Sequence, residues 1–313
     1  MTYTPITPNQ IGIYYLHDIN LKEIVEFIDW RFYFLAWRLS GRYEGIEQAH
    51  HCPACQAKWL TRFDAKDRPK AEEALKLFSD TQEVLHDVVE NNRLKINAVY
   101  ALLPAYSEDD NIVIETEGGK ITLPTLRQQK PSADGFCYSL SDFLAERNDF
   151  LGAFANTVLG ANEMAKAYEK KEELYTAIVI KTLADRLAEA TAEWLHRKVR
   201  TEFWGYTPNE NLSVKEMLKT KYKGIRPAIG YPSLPDQSII FEMDEILKFN
   251  KIGVSLTEHG AMYPNASVTG LYFAHPMSRY FAIGKIDDEQ LNDYARRKGK
   301  TTDEMRKWLS GNL

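Results

Sequence analysis

Residues Gly224-Ile-Arg-Pro-Ala-Ile-Gly-Tyr-Pro232 set one guanidinium, Arg226, in a segment stiffened by Pro227 and Pro232 and opened by Gly230. Proline fixes φ, and glycine lets a ligand or another backbone come close. An arginine framed in this way can grip a carboxylate with two parallel N–H bonds, the chemistry of recognising a small anion. Read alone, the same segment is more simply a stiff turn with its arginine on the surface. A second group is His50-His51-Cys52-Pro-Ala-Cys55. Imidazoles and a Cys-x-x-Cys pair suit zinc, and the same spacing serves a redox dithiol. Four donors crowded together, with no second pair at finger spacing, close a tetrahedron poorly. The expectation is a surface insertion with reduced thiols, in which His50, His51, Cys52 and Cys55 are only weak metal candidates. A third group, Glu193-x-x-His196, is one half of a carboxylate-bridged diiron signature. The other half is missing, so the pair reads as the solvated face of a long helix.

The elements that must position these groups follow from periodicity and punctuation. Residues 1–20 read as an extended lead-in. Leu21 to Leu39 carries apolar residues at helical spacing and is stopped by Ser40-Gly41. On that helix Asp29, between Ile28 and Trp30, is out of place as a solvated acid. A second helix is expected from Pro69 to about Asn91. Strands are expected over Ile96–Leu103, Ile112–Thr116, Lys120–Leu123 and Phe150–Val158, the middle two joined as a hairpin at Glu117-Gly118-Gly119. Asn162 to about Phe203 is a long helical stretch with a break near Leu174, and its pattern turns Glu189 to solvent. Short helices follow over Ser213–Lys221, with Ser213 and Glu216 as a capping box, and over Met243–Phe249. Val254–Leu256, Ser267–Phe273 and Tyr280–Ile286 read as strands, and two helices start at Asp288 and Thr302. Helices and strands run in blocks, which points to an α+β fold.

Composition narrows the function classes. The chain has 313 residues, 44% hydrophobic and 27% charged, an ordinary globular balance with room for a large core. A net charge of −5 gives no general attraction to nucleic acid. No apolar run is long enough to span a bilayer, and no signal-peptide pattern opens the chain. Three cysteines make no disulfide framework and fit a reducing cytosol. Gly118-Gly119-Lys120 lacks the upstream glycine of a phosphate loop. An Asp-x-His-x-x-Gly cobalamin motif, a glycine-rich Rossmann or methyltransferase fingerprint and a Gly-x-Ser-x-Gly elbow are all absent from the sequence.

Several ordered segments together resemble the activation domain of cobalamin-dependent methionine synthase. They are Leu183-Ala-Asp-Arg-Leu-Ala-Glu-Ala190, Trp204-Gly-Tyr-Thr-Pro-Asn-Glu-Asn-Leu-Ser213, the Arg226 segment, Met262-Tyr-Pro-Asn-Ala-Ser-Val268, His275-Pro-Met-Ser-Arg-Tyr280 and Asp293-Tyr-Ala-Arg-Arg-Lys-Gly299, with Ile28-Asp-Trp30 and Leu126-Arg-Gln-Gln129 upstream. The resemblance skips residues 44–66. It implies one large domain over residues 1–313, a helmet-like twisted antiparallel sheet flanked by helices. Within it, residues 1–95 would be mainly helical, with the insertion near 44–66, and residues 96–313 would form the α+β body.

The same resemblance implies an S-adenosylmethionine site. That ligand asks for a cation at its carboxylate, anions or carbonyls near the ammonium and sulfonium, an acceptor for the ribose and apolar walls for adenine. The matching positions are Arg226 for the carboxylate, Asp29 and Glu189 for the ammonium and ribose, and Tyr280, with Ala228, Gly230, Tyr231 and Phe281 completing the pocket. Ile229 stands where relatives often have proline, which should loosen the loop. Phe281 stands where relatives have a second tyrosine, and Ser233-Leu-Pro-Asp-Gln237 replaces a continuation richer in Cys and His.

The implied function is reductive reactivation: the module presents S-adenosylmethionine while inert cob(II)alamin in a partner cobalamin domain is reduced and methylated to methylcobalamin, a flavodoxin-like or other reductase supplying one electron. Its role is positioning rather than acid–base chemistry. It is a methyltransferase component, expected to be cytoplasmic and inactive without its partner. Met1 and a native-looking lead-in favour a separate subunit over a fragment. Two rivals are a non-catalytic S-adenosylmethionine sensor and a corrinoid chaperone built around His50 to Cys55.

Overall fold

The computed structural model describes residues 3–50 and 52–313. Eight strands and eleven helices are found among these residues. The strands are β1 (Gly12–Leu16), β2 (Lys95–Glu108), β3 (Asn111–Thr116), β4 (Gly119–Pro124), β5 (Asp149–Leu159), β6 (Ser255–Leu256), β7 (Met262–Tyr263) and β8 (Ser267–Tyr272). The helices are α1 (Leu21–Val25), α2 (Trp30–Ala36), α3 (Ile46–Ala49), α4 (Pro53–Leu60), α5 (Arg68–Glu90), α6 (Ala161–Glu169), α7 (Leu174–Lys198), α8 (Val214–Met217), α9 (Ile239–Leu247), α10 (Asp288–Lys298) and α11 (Thr302–Trp308).

The main sheet is antiparallel throughout, in the order β4-β3-β2-β5-β8, with β1 also paired to β2. The α+β expectation holds. Alternation along β2 and β5 sends side chains to two different cores. Val99, Ala101, Leu103, Ala153 and Ala155 face α9 residues such as Ile240, Met243 and Leu247. Ala98, Tyr100, Leu102 and Phe154 face Ala192, Leu195 and Val199 at the C-terminal end of α7 and just beyond it. Both faces of the central strands are therefore buried, which is why they read as continuous apolar runs. Further along α7, Leu183, Ala184 and Leu187 pack with α1 and α5. Outside the sheet, α10 and α11 close over Leu126, Ile283 and Ile286.

Several boundaries differ from expectation. The lead-in contains β1, whose Gly12 to Leu16 pair with Leu102 to Ala98. The helix expected over Leu21–Leu39 is two helices, because Asp29 has extended backbone (φ −83°, ψ 95°) and its carboxylate caps α2 by accepting the Arg31 amide. The long helix breaks between α6 and α7, and after α7 it widens into a π-helical turn, Val199–Phe203. Tyr280–Ile286 is not a strand: Phe281 and Ile283 donate their amides to the Ser233 hydroxyl and the Pro232 carbonyl instead of to a ladder. The segment 44–66 is no loose insertion, since Ile46 and Trp59 are buried against Tyr33, Phe34, Ala74 and Phe78.

The Arg226 segment lies along the free edge of β8. Ile225 and Phe273 exchange backbone hydrogen bonds, Leu271 donates to the Pro227 carbonyl, and Ile229 donates to Thr269 at 3.2 Å. Gly270 makes this approach possible, since a Cβ there would sit 2.5 Å from the Pro227 carbonyl oxygen. Pro227 turns its carbonyl, and so its nitrogen, toward β8, where it supplies only the acceptor half of its pair with Leu271; an edge segment tolerates the missing bond.

Candidate functional site

Helix α7 brings a polar face to the β8 edge. Glu189, Glu193, His196 and Arg200 follow one another at spacings of four, three and four residues, so they share one side of the helix and its π-helical extension. The Arg226 side chain turns inward from the edge segment to meet them. Its Nη2 lies 3.1 Å from Glu193 Oε2, and the two side chains are 13% and 8% exposed. The guanidinium also faces the Phe154 ring, 5.8 Å from its centroid. Nε is buried without a hydrogen-bond partner, as is Glu193 Oε1. Among the described residues no hydrogen bond engages Nη1 either, so one arm of the guanidinium fork is uncommitted. Burial by itself would favour loss of the Arg226 charge, but the Glu193 carboxylate, then Tyr222, Tyr280 and Glu189, hold the proton more firmly than usual.

Tyr280 fixes the backbone of the arginine. The Arg226 amide donates to its hydroxyl at 2.9 Å, and that hydroxyl lies 3.3 Å from the hydroxyl of Tyr222. Burial, then the Glu193 charge, pushes the Tyr222 phenol well above its ordinary value, so it stays a neutral donor. Tyr231 stands 57% exposed at the rim, and Tyr280 is 44% exposed. The turn leading into Tyr231 depends on Gly230 at φ +82°, where a Cβ would also collide with Gln237. Glu189 is half-buried, and its charge, with burial adding to the effect, raises the Tyr231 phenol. The turn at Ala228 is closed by the Tyr231 amide donating to its carbonyl.

Two expected contacts are arranged differently. Asp29 is half-buried, but its carboxylate already makes two bonds to Arg31, 3.0 Å from Nε and 2.6 Å from Nη2, besides capping α2. Any ligand group it holds must be shared with Arg31. The Phe281 ring turns into the core against Tyr138 and Phe143, with centroids 5.8 and 6.1 Å away, and its amide and carbonyl both bond to the Ser233 hydroxyl. Ile229 does not loosen the loop. Its amide makes the bond to Thr269 that proline could not, and its side chain is buried.

The reading of Glu193-x-x-His196 as a solvated face is overturned. His196 is fully buried, stacked on Tyr272 at 5.1 Å, with Nε2 3.3 Å from the Tyr206 hydroxyl. Arg200, also fully buried, makes a two-pronged pair with Glu210 at 2.8 and 2.7 Å and lies over the Tyr222 ring. The C-terminal part of α7 is buried nearly all round, from Ala190 to Glu193 and at Leu195 and His196, so its polar residues there face the interior. Burial, and then the charges of Arg200 and Arg226, hold the His196 pKa well below 6.5. The unfolded chain therefore binds a proton that the fold does not. Stability should be flat above about pH 6.5 and fall below it, by up to about 1.4 kcal/mol per pH unit. Urea unfolding at pH 7.5 and 5.5 measures this, and His196→Gln should flatten the difference; an equal slope in the variant would remove His196 as the cause.

The Cys52 and Cys55 sulfurs are bonded to each other, which corrects the expectation of reduced thiols. His51 lies outside the described residues. Among the described residues no group of three or more His, Cys, Asp or Glu side chains is placed to hold a metal. No helix among them is long and apolar enough to cross a membrane.

Comparison with known proteins agrees with this architecture. The family model described as the vitamin B12 dependent methionine synthase activation domain matches residues 20–299. The chain is also similar to a solved structure described as the MetH reactivation domain bound to AdoHcy, with 36% sequence identity and a TM-score of 0.89, covering 99% of this chain and 93% of that one. The matched span takes in α7, the β8 edge segment and the Tyr280 turn, and it places this chain in the family of activation domains of vitamin B12 dependent methionine synthases.

Proposed function

We propose that the mouth formed by Arg226, Glu189, Tyr231 and Tyr280 binds S-adenosylmethionine and holds it for methyl transfer to a corrinoid carried by a partner domain. The observation that carries this reading is the Arg226 guanidinium: largely buried, paired with Glu193 through Nη2, and left with Nε buried and unpartnered. A buried cation with an unmatched donor is costly unless something anionic completes it, and the carboxylate of an amino acid suits it. The AdoHcy bound by the similar MetH domain is the same ligand without its methyl group, which supports the choice. Asp29 and Glu189 would hold the ammonium and ribose, Asp29 sharing its charge with Arg31. Ala228, Gly230 and Tyr231 would line the adenosine, Gly230 by permitting close approach and Tyr231 by offering a ring face.

The bound ligand supplies an electrophilic methyl group on a sulfonium sulfur; a flavodoxin-like or other reductase supplies the electron that the cobalt needs to accept it. The residues of this chain supply position. Arg226 and the two acids fix the ends of the amino-acid and ribose groups, so the methyl group is presented at one place. No side chain here needs to move a proton. We place the reaction in the cytosol, with the module inactive unless the corrinoid domain is docked.

The test mixes the chain with a cob(II)alamin-loaded partner, a reductant and S-adenosylmethionine labelled in its methyl group. Label should appear on the corrinoid and depend on the chain. Binding of the ligand with no transfer to any cognate partner would favour the sensor instead.

A further inference from the structure

Cys52 and Cys55 take no part in the methyl-donor site, and the inference drawn from them is independent of it. We propose that Cys52–Cys55 is a redox-active pair that exchanges electrons with dithiols, Cys55 being the sulfur attacked and Cys52 the thiolate released. The two sulfurs are already joined, with Cα atoms 5.2 Å apart. A bridge across only two intervening residues closes too small a loop to restrict the unfolded chain much, so stabilisation is a poor reason for it. Bonded cysteines of this spacing in a reducing compartment are usually transient and reactive.

The surroundings give the two sulfurs different roles. Cys52 is the N-cap of α4, half-buried, and its Sγ accepts the Cys55 amide at 3.1 Å. Pro53 opens the helix, and the first turn of α4 carries no acid. Negative charge on Cys52 is therefore favoured by a hydrogen bond and by the helix N-terminus. Cys55 is exposed, so an incoming thiolate reaches it first. Attack on Cys55 Sγ forms a mixed disulfide, breaks the Cys52–Cys55 bond and leaves the electron pair on Cys52, the better leaving group. The second thiolate of the reductant then attacks its own sulfur in the mixed disulfide and releases Cys55, which takes a proton from water. The protein gains two electrons and the dithiol becomes a disulfide.

The flanks do not depend on the bridge. Trp59 is buried, with Nε1 donating to the Glu44 carbonyl at 3.0 Å, and Gln56 donates to the His50 carbonyl at 3.2 Å. Opening the bond should leave the α3–α4 layer in place.

The experiment equilibrates the full chain in mixtures of reduced and oxidised dithiothreitol, alkylates it, and reads each cysteine by peptide mass. Cys52 and Cys55 should lose reactivity together toward the oxidising end, while Cys137, unbridged and half-buried, serves as the control. In Cys55→Ser at pH 6.5, Cys52 should alkylate about tenfold faster than Cys137, as expected of a thiol whose pKa is lowered by about one unit or more; in Cys52→Ser, Cys55 should not. Far-ultraviolet circular dichroism should be the same for the bridged and open forms. Cysteines that stay alkylatable at the oxidising end, that titrate independently, or that retain one equivalent of zinc would overturn the proposal.

Discussion

Arg226→Ala should reduce methyl transfer from S-adenosylmethionine to the partner corrinoid at least tenfold, with the loss appearing first in affinity for the donor. A charge-assisted bond to a carboxylate contributes about 1.5–3 kcal/mol, and about 1.4 kcal/mol is already tenfold in binding. The variant also leaves Glu193 buried without its cation, so unfolding must be measured beside binding. Arg226→Lys separates the two effects. It keeps a positive charge near Glu193 but replaces a planar fork with a point charge on a shorter reach. The lysine form should therefore be folded and still bind the donor weakly. Calorimetric titration with S-adenosylmethionine on variants confirmed as folded checks this. Unchanged affinity in folded Arg226→Ala would remove the arginine from the site.

How much of this site was legible in the sequence depended on whether a residue's partners were local. Arg226, Gly230 and Tyr231 sit in a segment whose stiffness is written in its own prolines and glycines, so their turn could be expected. Asp29 was noticed as a misplaced acid, but the reason was hidden: it lies past the end of one helix and caps the next, and helix breaks without glycine or proline leave little periodic trace. Glu193 was misread because a Glu on a long helix usually faces water. Its burial comes from β8 and the edge segment, which pack on α7 from more than 30 residues away along the chain. The central strands were legible because they are buried on both faces. The strand expected at Tyr280–Ile286 failed for the opposite reason: its apolar residues pack while its amides bond to the Ser233 turn, and burial pattern alone does not show where an amide goes. The fold class and family thus lay in ordered motifs, whereas the internal support of the arginine lay in tertiary contact.

That support gives the second large effect. Glu193→Ala should destabilise the fold by about 3–5 kcal/mol, the usual consequence of leaving one partner of a buried ion pair unmatched. Arg226 would keep its charge in a site closed on one side by Phe154, with Nε already unpartnered. Arg226→Ala combined with Glu193→Ala should cost less than the sum of the two single changes, because neither charge is then left alone. A structural role would end there, so affinity decides whether Glu193 also positions the arginine. In Glu193→Gln, which keeps the shape and one acceptor, S-adenosylmethionine should bind about tenfold more weakly at a temperature where the variant is fully folded. The cause would be a guanidinium no longer held in place by a buried carboxylate. The opposite result is informative too. Glu193 occupies Nη2, so if it competes with the ligand for the fork, Glu193→Gln should bind more tightly, and the glutamate would then be a restraint on the site and not its support.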